Sequence, residues 1–314
     1  MPEIQTALLR AWSHSRSHTM NTCQRQFFFS YCAGARWDHP DPRLRDLSLL
    51  KQVKAIALWK GDIVHQALAR YFNELKHDRV LNVSQITDIA EQLASKQWAF
   101  SAAHRYRTQG RSRAGDSFAA LLEHEYEIPD TETLGDALTH IRRCLSNFYA
   151  MDAKLSISGA FRDGREHLIE PPAWGAGATT FLVPGIKATV KVDLSFATQD
   201  GRYLIFDWKT GKGDENATPQ LELYALWAHL SLSYPLEAVT AHEISLFKEQ
   251  ASSTQLTESA AFYRSEQIQK SSDLITALTA SDPRSGPPLR DFNYARHVAT
   301  CRRCAFQRVC QEFA

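Results

Sequence analysis

What the sequence has little of bounds it first. No apolar run approaches the roughly 20 residues needed to cross a bilayer. The opening stretch, MPEIQTALLRAWSHSRS, lacks the apolar core of a secretory leader, so a cytoplasmic protein without membrane contact is the expectation. Net charge is almost absent: 36 Lys and Arg against 35 Asp and Glu leave +1. A nucleic-acid partner would therefore be held by local basic patches rather than by the field of the whole molecule. Six cysteines in 314 residues are too few for a disulfide scaffold; in a reducing compartment, clustered ones read as metal ligands or catalysts. There is no internal repeat, which excludes a solenoid, and no low-complexity segment. No G-x-x-x-x-G-K-[ST] loop is present either, so strand unwinding would fall to a partner.

What is present is a soluble globular composition, 44% apolar and 23% charged. Residues 53–79 read as a helix, with Ile63, Val64, Ala67, Leu68, Tyr71, Phe72 and Leu75 at three- and four-residue spacing. Residues 84–160 read as mostly helical around a basic run, HRYRTQGRSR (104–113). Near 165 the period changes. EHLIE (166–170), IKATVKVDLSFAT (186–198) and RYLIFDW (202–208) read as strands. In the second, Val190, Val192, Leu194 and Phe196 are expected on one face and Lys191, Asp193 and Ser195 on the other. The turn signal QDG (199–201) joins the last two strands as a hairpin. A helix over 217–230, with Thr218 as its N-cap and Pro219 as its first residue, a strand over 238–247 and a helix around 256–280 follow. A Pro/Gly-rich linker, 281–291, leads into a Cys-rich tail.

The stretch YLIFDWKTGK (203–212) places an acid and an amine at the end of a buried strand. Asp207 and Lys209 share a face, and Asp193 on the paired strand can converge on them. Carboxylates on neighbouring strands repel unless a cation lies between them. A hard divalent ion such as Mg²⁺ suits oxygen ligands, and Lys209 could then orient water or neutralise developing phosphate charge. Alone, a D-x-K triplet is more often a solvated strand end. His65 can ligate a metal, although a histidine on a helix flank is usually structural. Gln220 and Tyr224, four apart, share a helix face that could point back at the site; otherwise Tyr224 is core and Gln220 exposed. Glu170 ends the first strand and is the weakest of the set. Lys187 and Lys191 read as a solvated strand face.

CRRCAFQRVC supplies Cys301, Cys304 and Cys310, and Cys23 lies far upstream beside an aromatic run. Tetrahedral zinc and a 4Fe–4S cluster both fit the spacing. With Cys23 as fourth ligand, the centre would clasp the two chain ends and feed binding energy into folding. Cys32 is an alternative fourth ligand, and Cys144 reads as helix core.

Together these residues resemble the PD-(D/E)XK nuclease superfamily, and more narrowly its RecB/AddB-type branch with an iron–sulfur cluster, which includes the CRISPR adaptation nucleases. The resemblance rests on G-x-x-x-H (Gly61 to His65), G-x(n)-D (Gly185 to Asp193), D-x-K-T-G (Asp207 to Gly211), Q-x-x-x-Y (Gln220 and Tyr224) and one early cysteine plus C-x2-C-x5-C, in that family's order. It implies a restriction-endonuclease-like α/β fold: a mixed central sheet flanked by helices, with a helical insertion and a Cys-ligated cluster joining the termini. It implies one domain over 1–314, comprising an N-terminal cluster half (1–50), a helical region (51–160), the core sheet and motif helix (161–255) and a C-terminal helix with the cluster tail (256–314). His65, Asp193, Asp207 and the Trp208 carbonyl would hold Mg²⁺ or Mn²⁺. Lys209 would be catalytic, with Gln220 and Tyr224 in support. Cys23, Cys301, Cys304 and Cys310 would hold a structural 4Fe–4S cluster, zinc being the alternative. The substrate would be DNA, single-stranded or with free ends, in repair, recombination or phage defence, with a helicase or defence-system protein as partner. The segment 80–160 exceeds the compact CRISPR members and could shape a DNA channel through Arg105, Arg107, Arg111 and Arg113; an exposed solubilising loop would look the same. The alternative function is a DNA-binding or assembly subunit that does not cut.

Overall fold

The computed structural model describes residues 11–33, 41–170, 179–213, 218–279 and 287–312. Along the chain run β1 (Ala11–Ser13), α1 (His14–Thr22), α2 (Gln24–Phe27), α3 (Pro42–Leu50), α4 (Ile56–Leu75), α5 (Val83–Ala102), α6 (Leu134–Leu155) and α7 (Ile157–Asp163). Then come β2 (Arg165–Ile169), β3 (Thr179–Val183), β4 (Ile186–Val190), β5 (Leu194–Ala197), β6 (Tyr203–Lys209), α8 (Thr218–Leu232), β7 (Val239–Ser245) and β8 (Gln250–Thr254). α9 (Glu258–Thr279), α10 (Val298–Arg302) and α11 (Gln307–Glu312) close the order. The helices anticipated from periodicity are present. Residue 217 of the anticipated 217–230 helix and the first part of the 281–291 linker lie outside the described residues, as do residues 1–10.

The main sheet has the order β2-β5-β6-β7-β8, and a smaller one the order β1-β4-β3. The expected hairpin is there: β5 and β6 pair antiparallel from Ala197 with Tyr203 to Leu194 with Phe206, and Gly201 closes the turn at φ +86°. β6 and β7 are parallel and in register from Tyr203 with Val239 to Lys209 with Ser245, so their carboxyl ends coincide. α8 is the crossover between them, as parallel neighbours require.

The anticipated strand 186–198 is corrected in one respect. It breaks after Val190 and resumes at Leu194, in the other sheet. The break changes which layer the alternate residues face. Val190 and Val192 pack with the α8 layer, beside Tyr203, Ile205, Val239 and Ala241. Leu194 and Phe196 pack with the α4 and α6 layer, beside Ile63, Leu68, Phe72 and Phe148. Lys191 and Asp193 sit in the bend between β4 and β5, outside both strands. Ser195, expected on a polar face, is fully buried and bonds the Tyr203 hydroxyl at 2.9 Å.

Three strands went unanticipated. β1 is three residues long, β8 reads QASST without apolar alternation and is an exposed edge, and β3 is joined to β4 through Gly185 at φ +76°. A third apolar cluster gathers Phe29, Leu47, Leu50, Phe100, Phe118, Leu122, Phe306 and Val309, drawn from the two ends of the described chain, the end of α5 and the segment that follows it.

Candidate metal centre

α4 is held against the end of β6 by a missing side chain. A Cβ on Gly61 would lie 2.8 Å from Thr210 Oγ1. Only glycine lets the helix approach this closely, and the next turn then delivers His65. Its Nε2 is 2.9 Å from the Trp208 carbonyl oxygen, and its Nδ1 is 3.1 Å from Glu170 Oε2 and 3.3 Å from Asp193 Oδ1. Both ring nitrogens therefore face acceptors. Burial opposes charge on this ring, but Asp193 and Glu170 overcome it and raise its pKa well above the ordinary histidine value.

The Trp208 indole points the other way, stacked 6.0 Å from Phe72 in the α4 layer. Only its backbone faces the site, where its N–H donates to Asp193 Oδ2 at 2.7 Å. Asp207 is buried on the opposite side of the strand, facing α8. Gln220 Nε2 donates to Asp207 Oδ1 at 3.1 Å and to the Tyr224 hydroxyl at 2.5 Å; that hydroxyl is 2.8 Å from the Lys191 carbonyl and 3.3 Å from Asp207 Oδ1. Lys209 Nζ donates to Gln220 Oε1 at 2.9 Å and lies 2.7 Å from Asp207 Oδ2. Despite that ion pair, Asp207 Oδ2 accepts no well-directed hydrogen bond and is buried. Burial, with Asp193 beside it, raises the Asp207 pKa to about 6 against the pull of Lys209.

Glu170, the weakest candidate in the sequence, is a full member of this constellation. β2 brings it in: its N–H donates to the Asp193 carbonyl at 2.7 Å. Lys191 pairs with its other oxygen, so Lys191 is not the purely solvated residue expected, whereas Lys187 is exposed. Burial works against its charge, yet His65 and Lys191 hold its carboxyl well below the usual range. Among the described residues, His65, Glu170 and Asp193 form the one three-residue ligand set whose donor atoms lie within 4.8 Å of one another. Asp207 stands just outside that set, held by Lys209, Gln220 and Tyr224.

The residues fit a hard divalent ion. The donor set is imidazole and carboxylate with a carbonyl, Asp193 opposes ionisation of Asp207, and a buried Asp207 oxygen lacks a directed donor.

The cysteines form a second constellation. Cys23, Cys301, Cys304 and Cys310 line one cavity of about 440 Å³ together with Phe29, Tyr294 and Phe306. Burial, with the other three thiols nearby, raises the Cys304 pKa to about 11. Cys23 Sγ accepts from Gln26 N and Cys304 Sγ from Phe306 N, each at 3.4 Å. Cys32 is corrected as an alternative ligand: it is buried in the α8 layer, and burial pushes its thiol up to about 12. Cys144 is helix core, as expected.

The basic run is largely tied to the protein. Arg107 and Arg308 both pair with buried Glu125, which also accepts from the Tyr106 hydroxyl at 2.9 Å. Arg111 lies over the Phe118 ring at 4.8 Å. Arg105 and Arg113 are exposed.

A family model for the PD-(D/E)XK nuclease superfamily matches residues 11–311. The chain belongs to this superfamily. The match spans almost the whole chain, and metal-dependent nuclease is the class of activity that this superfamily implies. No curated protein matches the chain. No helix among the described residues of this PD-(D/E)XK protein is long and apolar enough to cross a membrane.

Proposed function

We propose that the protein is a Mg²⁺- or Mn²⁺-dependent deoxyribonuclease acting on single-stranded DNA or free DNA ends, with a structural 4Fe–4S cluster. The observation that carries this reading is the arrangement of Asp207. Its carboxylate and the Lys209 amine are held as a pair by Gln220 and Tyr224, beside His65 and Asp193.

His65, Asp193, Asp207 and the Trp208 carbonyl would hold the ion, which when bound lowers the pKa of water and offsets charge on the phosphate oxygens. Lys209 is the proton donor and point charge of the site. Asp207 and Gln220 fix its Nζ, so it meets a phosphate oxygen or an attacking water without first losing rotamer freedom. Gln220 uses both ends of its amide, accepting from Lys209 and donating to Asp207, so it sets their separation. Tyr224 is held protonated, since burial and both aspartates raise its pKa, and it serves as a neutral donor. Glu170 accepts from His65 Nδ1, leaving Nε2 for the ion. Such a carboxylate–histidine pairing sets the tautomer of a metal-ligating ring.

For the cysteine centre, four thiols lining one cavity support a soft-metal site, with a 4Fe–4S cluster as the reading and zinc as its alternative. Iron and sulfide quantification after anaerobic purification decides between them; a colourless protein with one zinc per chain overturns the cluster.

The nuclease reading is tested by digesting end-labelled single- and double-stranded DNA with Mg²⁺ and Mn²⁺. Asp207→Ala should abolish cleavage, and Lys209→Ala should slow it by about 10²–10³-fold, the cost of losing a preorganised charge-stabilising group. Cleavage at the native rate by either folded variant overturns the assignment. DNA binding without cleavage by the native protein would favour a non-cutting subunit.

A further inference from the structure

A basic and aromatic cluster sits at the carboxyl end of the sheet, beside the metal centre but outside it. Phe247 lies two residues beyond the end of β7. Leu246 N donates to the Lys209 carbonyl at 2.7 Å, and Asn147 of α6 donates to the Leu246 carbonyl at 2.8 Å. These two bonds lock α6 to the paired ends of β6 and β7. Three basic side chains then converge on the Phe247 ring. His140 stacks on it at 5.0 Å and 15°. The Arg143 guanidinium lies 4.1 Å from its centroid, and Lys212 Nζ lies 5.5 Å from it.

Arg143 and Lys212 make no ion pair with a carboxylate among the described residues. This contrasts with the other cations near the site. Lys191 pairs with Glu170, Lys209 with Asp207 and Lys60 with Glu132. In the run at 104–113, which the sequence alone would nominate for phosphate contact, Arg107 is committed to Glu125, while Arg105 and Arg113 are exposed and stand farther along the chain from the β6 end. Burial, together with Lys60, lowers the pKa of His140, so that ring stacks in its neutral form. Both cations lie against one ring, whose face offsets part of the cost of leaving them without a carboxylate partner. A bound phosphate would supply the missing counter-charge.

We propose that Arg143 and Lys212, organised by Phe247, clamp the phosphodiester backbone of a single DNA strand where it passes the carboxyl ends of β6 and β7. The clamp rests on the nuclease reading. It deepens that reading by fixing the path of the strand: Lys212 is joined to Lys209 through Thr210 and Gly211, so the clamped phosphate adjoins the one being cleaved.

The test uses the full chain and a fluorescein-labelled, mixed-sequence single-stranded oligonucleotide, with Ca²⁺ replacing Mg²⁺ so that the strand stays intact. Anisotropy is read across a salt series. On a single strand, removing one cation from a phosphate reduces the slope of log K against log[salt] by about 0.7. The double variant Arg143→Gln/Lys212→Gln, which preserves side-chain length, should therefore show a slope shallower by ~1.4. Phe247→Leu keeps both cations and should weaken binding several-fold. Mn²⁺ binding measured by calorimetry should be unchanged in both, as should the slope for Lys270→Gln, an exposed lysine on α9. A native slope in the double variant, an equally shallow slope in Lys270→Gln, or native affinity in Phe247→Leu overturns the clamp. If the native protein cuts DNA while the double variant keeps its slope, only the clamp fails. If the native protein neither binds nor cuts DNA, the nuclease reading fails with it.

Discussion

At Asp207, burial and a neighbouring aspartate oppose ionisation, while Lys209 favours it; at His65, two carboxylates keep a half-buried ring protonated. Below about pH 6 both groups hold protons that a divalent ion would displace. The sign follows from linkage. The Asp207 pKa rises from 3.8 toward about 6 on folding, so the metal-free fold binds the extra proton in that window and loses stability as pH rises through it. The His65 pKa is raised above 6.5, so its contribution is complete below that value and is lost as pH climbs through the higher folded pKa. Both slopes run the same way. The metal-free protein should melt progressively lower from about pH 5 to 8, and the increase in Tm on adding Mn²⁺ should grow over the same range. Melting curves with Mn²⁺ and with chelator check this, and a pH-independent increase would place the ion elsewhere. Most of this site was legible residue by residue. Alternation on a strand puts Asp207 and Lys209 on one face, and a four-residue step puts Gln220 under Tyr224. Glu170 was legible only as the weakest candidate, because its place depends on β2 pairing with β5, which no local period reports.

Between elements, the decisive contact is that of α4 with the end of β6. The apolar stripe of α4 fixes which face is buried. The closeness of the approach depends on Gly61 meeting Thr210. Gly61→Ala would drive a methyl into the Thr210 hydroxyl and push the His65 turn away from the Trp208 carbonyl. Overpacking of this kind costs roughly 1–3 kcal/mol, and cleavage should fall with it. Thr210→Ala in the same chain removes the obstructing oxygen and should restore most of both. A double variant no more stable or active than Gly61→Ala would mean that helix propensity or an unseen contact sets the position. The glycine was visible in the sequence as part of G-x-x-x-H, but its reason was not, since its partner is far along the chain. The break at 191–193 was hidden for a related reason. Alternating valine, leucine and phenylalanine look continuous, and only the transfer of the chain between two sheets reveals that the alternate residues serve different layers. The Phe247 cluster was likewise invisible, being assembled from the end of β7, the exposed flank of α6 and the stretch after β6.

Across the whole molecule, the cysteine tail is fastened by more than thiols. Tyr126 donates to the Ala305 carbonyl at 2.6 Å, Phe29 stacks on Phe306 at 5.6 Å, and Arg25 Nε donates to the Phe292 carbonyl at 3.3 Å. Arg308 reaches Glu125 and Asp46, tying the tail to the same buried carboxylate that holds Arg107. These interactions surround the third apolar cluster, which shares little with the two layers around the main sheet. Removing the proposed cysteine-bound centre should therefore loosen one region first, because local opening follows contiguous packed units. Cys304→Ser should release its bound metal and lower Tm by ~10 °C, taking several kcal/mol of forfeited binding linkage at about 2–4 °C each for a chain of this size. Hydrogen exchange should speed up in 23–33, 118–128 and 304–311 while β5, β6 and β7 stay protected, and Mn²⁺ affinity at His65 should persist. DNA cleavage should fall more than Mn²⁺ binding does, because the 103–128 segment would lose its anchor at Glu125. Unchanged Tm and metal content in Cys304→Ser would remove the clasp. Uniform loss of protection across the sheet would show instead that the tail and the nuclease core unfold as one unit.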